Sequence, residues 1–161
     1  MTPFPNNPES DVMESFFWRP LRDGLGLDSE QWDNVMRVVT LHLVLDRLLT
    51  ALITHHLRAP GVSADIVWNV MKAVGALNFA RRIELAEKSQ WLPADVAADV
   101  REINRVRNKL LHFDPQRQRL DHVSEIASAE AFEKLTKRGH HAYYALVTLL
   151  LPALKGAVQT D

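Results

Sequence analysis

From residue 28 almost to the C-terminus, apolar side chains recur every three or four positions, and no stretch alternates with period two. Asp28 or Ser29 can cap a first long helix reaching about Leu57, with Val35, Val38, Val39, Leu45, Leu49, Leu52, Ile53 and Leu57 at helical spacing. Leu41, Leu43, Val44 and Leu48 widen that surface beyond one stripe. This predicts a helix covered on more than one side, by its own bundle and by a second subunit. Ala59, Pro60 and Gly61 break the pattern. Ser63 can cap a second helix over 64–74, ended by Gly75, and Asn78 a third over 79–92. Pro93 suits the first turn of a fourth helix running to about Leu111, and Asp114 with Pro115 closes it. Residues 115–127 read as loop. Ser128 can cap a last helix carrying Phe132, Leu135, Tyr143, Leu146, Leu150 and Leu154, which Pro152 should kink or end. The expectation is an all-α, up-and-down bundle of about five helices over residues 28–161.

Residues 1–27 differ. Four of the chain's eight prolines fall in the first twenty positions, so this stretch is not one continuous helix. It reads as a Pro-rich arm with a short helix carrying Phe16, Phe17 and Trp18. These aromatics either pack back on the protein's own body or dock on a partner subunit.

Composition narrows the function classes. The chain has 161 residues, 47% of them apolar, enough for one domain with a core of its own. Nineteen basic and twenty acidic side chains give a net charge of -1, which excludes a globally basic nucleic-acid binder but not a local basic patch. There is no cysteine, so disulfides, thiolate metal sites and a cysteine nucleophile are excluded, and a reducing, cytoplasmic setting is expected. The N-terminus lacks the features of a signal peptide, and the longest apolar runs, such as 145–151, are too short to span a membrane.

Two places depart from a packing pattern. Arg107 falls within the apolar stripe of the fourth helix formed by Val96, Val100, Ile103 and Leu110. His42 and Asp46, four apart, fall within the stripe of the first. A guanidinium among core positions is costly unless it is paired or faces a cleft. Either Arg107 pairs with Asp46 and sets helix register, or Arg107 faces a cleft that takes an anion. Asn108 and His112 share a helix face that Arg105 and Arg101 continue, and Lys109, Arg117 and Arg119 add positive charge. Segment 101–122 is net basic, a footprint suited to phosphate or to a solvated helix C-terminus. Arg81 and Arg82 either join the solvated face of Glu84, Glu87 and Lys88 or line the cleft. The pairs His55, His56 and His140, His141 do not chelate alone, so neither a metal nor a cofactor is expected. Trp32, Trp68 and Trp91 read as core or interface anchors.

The run Arg107-Asn108-Lys109-Leu110-Leu111-His112 is an R-x4-H pattern with a polar residue after the arginine, near the end of the penultimate helix. In this setting it resembles the HEPN superfamily, the higher eukaryote and prokaryote nucleotide-binding domains. The stretch FARRIELAEKSQWLPADVAADVREINRVRNKLLHF is similar to the mannitol-repressor-like branch. The resemblance spans about residues 35–113. It implies a homodimer whose motif helices form a composite cleft, and metal-independent RNA cleavage of toxin or defence type. Arg107 would stabilise charge on the phosphorane, and His112 would handle the proton. Asn108 would orient the pair, with Asp46 and His42 supporting and Arg101, Arg105 and Lys109 holding RNA. An antitoxin or other protein partner is implied. Many such toxins carry a tyrosine two residues after the histidine; here that position is Asp114, which argues against the tyrosine-bearing kind. The mannitol-repressor-like branch instead implies a non-catalytic regulator or scaffold. A helper domain for a separate nucleotidyltransferase is a third reading.

Overall fold

The computed structural model describes residues 28–58, 63–111, 123–126 and 128–158, with side chains through residue 152. Among them are five helices and no strand: α1 (Ser29–Leu57), α2 (Ala64–Ala76), α3 (Phe79–Lys88), α4 (Ala94–Leu111) and α5 (Ala129–Val158). The chain is an all-α bundle. The N-terminal arm of residues 1–27, with Phe16, Phe17 and Trp18, lies outside the described residues.

α1 is the hub, packing against each of the other four helices; α4 also packs on α3 and α5. It starts in a capping box: Asp28 Oδ1 accepts from the Gln31 amide at 2.8 Å, and Gln31 Oε1 accepts from the Asp28 amide at 3.2 Å. Leu45, Leu49, Leu52 and Ile53 of α1 are fully enclosed with Ile83 of α3, Val100, Ile103 and Val106 of α4, and Leu146 of α5. Gly139 lets α5 approach α1. A Cβ there would stand 2.1 Å from Leu41 Cδ2 and 3.3 Å from Ile103 Cδ1, which explains a poor helix former in mid-helix.

Three boundaries differ from the pattern in the sequence. α2 passes through Gly75 to Ala76, because one glycine costs a helix only about 1 kcal/mol. α3 stops at Lys88 rather than Leu92. Gln90 adopts φ 60°, and its amide donates to the Glu87 carbonyl while the Trp91 amide reaches back to Ala86. That is a Schellman turn built without glycine, and it delivers Leu92 into the core. α5 runs through Pro152 to Val158; the missing amide removes one rung without ending the helix. Ser128 caps α5 through its hydroxyl (3.2 Å from the Ala131 amide), and Asn78 caps α3 (2.9 Å from the Arg81 amide). Ser63 precedes α2 without a side-chain cap bond.

The expected surplus of apolar surface on α1 is present: Leu43 and Val44 are exposed, and Leu41 and Leu48 are half-buried. Trp32 is buried. Trp91 is half-buried with His56 stacked on it at 5.0 Å, and Trp68 is exposed beneath Lys72. No described helix is long and apolar enough to cross a membrane.

Candidate functional site

α1, α3 and α4 enclose a polar cleft of about 470 Å³. α1 contributes His42 and Asp46, the α2–α3 junction Asn78, α3 Phe79 and Arg82, and α4 Asn104, Arg107 and Asn108.

The floor is a buried ion pair, with a different arginine from the one the pattern singled out. Arg82, 8% exposed, sets Nη2 2.7 Å from Asp46 Oδ1. The approach is off the line of the N–H, so this is an ionic contact rather than an aligned hydrogen bond. Arg82 Nη1 also donates to Thr50 Oγ1, whose own hydroxyl donates to the Asp46 carbonyl at 2.8 Å. Asp46 and Thr50, four apart on α1, thus grip one guanidinium from two sides. Its carbon lies 5.8 Å from the centre of the Phe79 ring. The Arg107–Asp46 pairing is therefore corrected to Arg82–Asp46. Phe79, Arg82, Ile83 and Ala86 form the buried face of α3, which packs against α1.

His42 lies beside this pair and is buried. Its Nε2 is 3.2 Å from Asn104 Oδ1, and its ring meets Phe79 edge-on at 4.5 Å. The amide oxygen selects the Nε2–H tautomer, leaving Nδ1 buried without a partner. Burial is the main force lowering the His42 pKa from 6.5, with the nearby Arg107 charge next; Arg82 pushes the same way, and Asn104 and Asp46 oppose. His42 is neutral near pH 7. It anchors Asn104 and carries no charge of its own.

Arg107 is half-buried at the same cleft. Its Nη1 donates to Asn108 Oδ1 at 3.0 Å, and among the described residues no carboxylate pairs with it. Two guanidiniums thus share the cleft with one carboxylate, and that carboxylate is held by Arg82. Among the described residues the cleft is net positive. His112 lies outside the described residues, as do Asp114, Arg117 and Arg119.

The basic ridge on the other face of α4 is bound up with carboxylates. Arg101 pairs with Glu87 of α3. Arg105 makes a two-pronged bond to Glu102 (2.8 and 2.6 Å) and also reaches Glu125, in the turn before α5. Lys109 Nζ is 3.0 Å from the same Glu125. Burial raises the Glu125 pKa, but hydrogen bonds from Arg105 and Lys109 outweigh it and hold the carboxyl at about 2. These three residues, expected to hold RNA, already have their charge matched within the chain.

His141 is engaged between α4 and α5. His141 Nδ1 is 2.7 Å from Asp99 Oδ2, and Asp99 Oδ1 accepts from Arg138 at 2.6 Å. Among the described residues no three His, Asp or Glu side chains gather as metal ligands.

Arg82 was left undecided by the sequence pattern, Asn78 was marked only as a helix cap, and Asn104 and Phe79 went unmarked. Their signals were there to read. Arg82 sits three after Phe79 and four before Ala86 on an apolar face; Asn104 sits beside Ile103, three before Arg107. Comparison of the chain with protein-family models, curated proteins and solved structures yields no match in any of the three.

Proposed function

We propose that the chain is a HEPN-like, metal-independent RNA endonuclease acting as a homodimer. The observation that carries this reading is Arg107: a guanidinium with no carboxylate partner among the described residues, in a polar cleft whose described side chains are net positive, five residues before His112. In the proposed step the ribose 2′-oxygen bonds to phosphorus and the 5′-oxygen leaves. One proton departs the 2′-hydroxyl and one joins the 5′-oxygen, so the products are a 2′,3′-cyclic phosphate and a 5′-hydroxyl. Arg107 offers its N–H groups to the non-bridging oxygens as charge builds on them. His112 handles the protons, a task to which an imidazole is suited. Asn108 keeps the guanidinium oriented, and the Arg82–Asp46 pair with His42 and Asn104 forms the wall against which it works.

The test is cleavage of RNA in EDTA by wild type, Arg107→Ala and His112→Ala, each checked for fold and dimer formation. The expected result is 2′,3′-cyclic ends from wild type and at least about a hundredfold loss in each folded variant. No cleavage by wild type, or equal cleavage by all three, overturns the reading.

A second reading is favoured by the neutralised ridge. With Arg101, Arg105 and Lys109 paired to Glu87, Glu102 and Glu125, the surface suits a regulator or scaffold that binds a protein, antitoxin or other, rather than RNA. An inactive wild type that still forms a stable dimer would move the assignment to that reading.

A further inference from the structure

A helix that is apolar over most of its surface is normally buried, and α2 is not. Nine of its thirteen residues are apolar, yet only Val74 is buried and Val67 and Val70 are half-buried. Trp68 is 56% exposed, and Met71 is exposed beside it. The three valines form the stripe that packs on α1. Turning about 100° per residue, Ala64, Trp68, Met71 and Gly75 fall within an arc of about 60° beside that stripe. Their spacing of four, three and four is that of a seam between two packed helices. Asp65 and Lys72, the only charged residues of α2, stand two turns apart on the outer edge of this seam. Gly75 has no packing reason within the described residues: a Cβ there meets nothing within 4 Å, in contrast to Gly139.

We infer that α2 is the docking surface for a second copy of this chain, α2 against α2 in antiparallel order about a twofold axis. Charge complementarity selects both the occupant and the order. With Trp68 set against the partner's Met71, Ala64 meets the partner's Gly75. Asp65 then faces the partner's Lys72, and Lys72 faces the partner's Asp65, so one pair of opposite charges is matched twice. A parallel pairing instead sets Lys72 beside the partner's Val67 and leaves both charges unmatched. Ala64 and Gly75 let the two backbones approach closely at each end of the seam. Trp68, already covered on one side by Lys72 at 5.3 Å, is the aromatic anchor at its middle. Thirteen residues span about 20 Å, so the contact is small and a dimer that dissociates in the micromolar range is expected.

The interface uses no residue of the polar cleft, so the inference does not depend on RNA cleavage. The test is sedimentation of the full chain from about 1 to about 200 µM at low ionic strength, where exposed ion pairs are least screened. Wild type should show a reversible dimer with a dissociation constant below about 100 µM. Asp65→Lys and Lys72→Asp each set like charges opposite one another and should each weaken the dimer at least about tenfold; the two changes combined should restore it to within about threefold of wild type. Trp68→Ala should also weaken it at least about tenfold. Circular dichroism checks the helix content of every variant. A monomer throughout the concentration range overturns the inference. A dimer indifferent to the single reversals and to Trp68→Ala also overturns it, while leaving a homodimer through another face intact. A combined exchange as weak as the single reversals overturns the antiparallel pairing and the inference with it.

Discussion

The two flanks of α1 carry opposite chemistry. On one, His42 and Asp46 face a cleft shared with Arg82, Asn104 and Arg107; on the other, Val38, Leu41 and Val44 face an apolar groove under α5. Both are built from residues a single turn apart on the same helix, and the core line of Leu45, Leu49 and Leu52 separates them. The cleft is costly to maintain. It buries a guanidinium and leaves His42 Nδ1 and Arg82 Nε without hydrogen-bond partners, each a penalty of about 1–3 kcal/mol. The groove costs little within the chain but leaves apolar surface facing water. Stability alone explains neither: a core arginine would be better replaced by an apolar residue, and an exposed trough better filled.

The comparison is broken most severely at Asp46. Asp46→Ala leaves Arg82 buried with only Thr50 as a polar partner, and unfolding in urea should show a loss of about 3–5 kcal/mol. Asp46→Ala combined with Arg82→Met should recover much of that loss, because no charge is then stranded. If the double variant is as unstable as the single, the ion pair is not what Asp46 provides. On the groove side, Leu135→Ala should cost about 2–4 kcal/mol through the cavity it opens beneath the floor. Tyr144→Ser, on the exposed wall, should shift stability by less than about 0.5 kcal/mol.

Two titrations sharpen the electrostatic side. His42 is held neutral when folded, with its pKa below 6.5, whereas the unfolded chain takes up that proton near 6.5. The unfolded state therefore binds more protons between the two values, and stability must fall as pH drops below about 6.5. Denaturation at about pH 7.5 and about pH 5.5 should show a smaller difference for His42→Gln than for wild type; an equal difference would mean that His42 does not report the cleft. Glu125 has the same sense at lower pH. Its carboxyl titrates at about 2 when folded against 4.5 otherwise, so its stabilising contribution is complete above about 4.5 and is lost as pH falls through about 2. Hydrogen exchange in α4 and the turn at 123–126 should rise over that window in wild type and much less in Glu125→Gln.

Much of the architecture was legible from the sequence. The helical period, the caps at Asp28, Asn78 and Ser128, and the stripes of α1 and α4 are local signals, and the folded chain obeys them. The end of α3 was not legible, because Gln90 takes a left-handed conformation that the pattern associates with glycine or asparagine. The site was half legible. Polar residues on apolar stripes marked His42, Asp46 and Arg107, but choosing between Arg82 and Arg107 as the partner of Asp46 depends on which helix lies opposite, a tertiary fact. The phasing that joined Arg101, Arg105 and Lys109 into a basic ridge was sound along α4. It did not show that Glu87 and Glu125, 14 and 16 residues away from their partners, would neutralise them.

The two arginines of the cleft differ: Arg82 is held by Asp46 and Thr50, whereas Arg107 meets no carboxylate among the described residues. The most direct test is urea unfolding of Arg107→Ala beside Arg82→Ala. Arg82→Ala, which strands Asp46, is expected to lose about 3 kcal/mol, and Arg107→Ala, which strands no carboxylate among the described residues, less than about 1 kcal/mol. Equal losses would contradict the account and make Arg107 another structural residue.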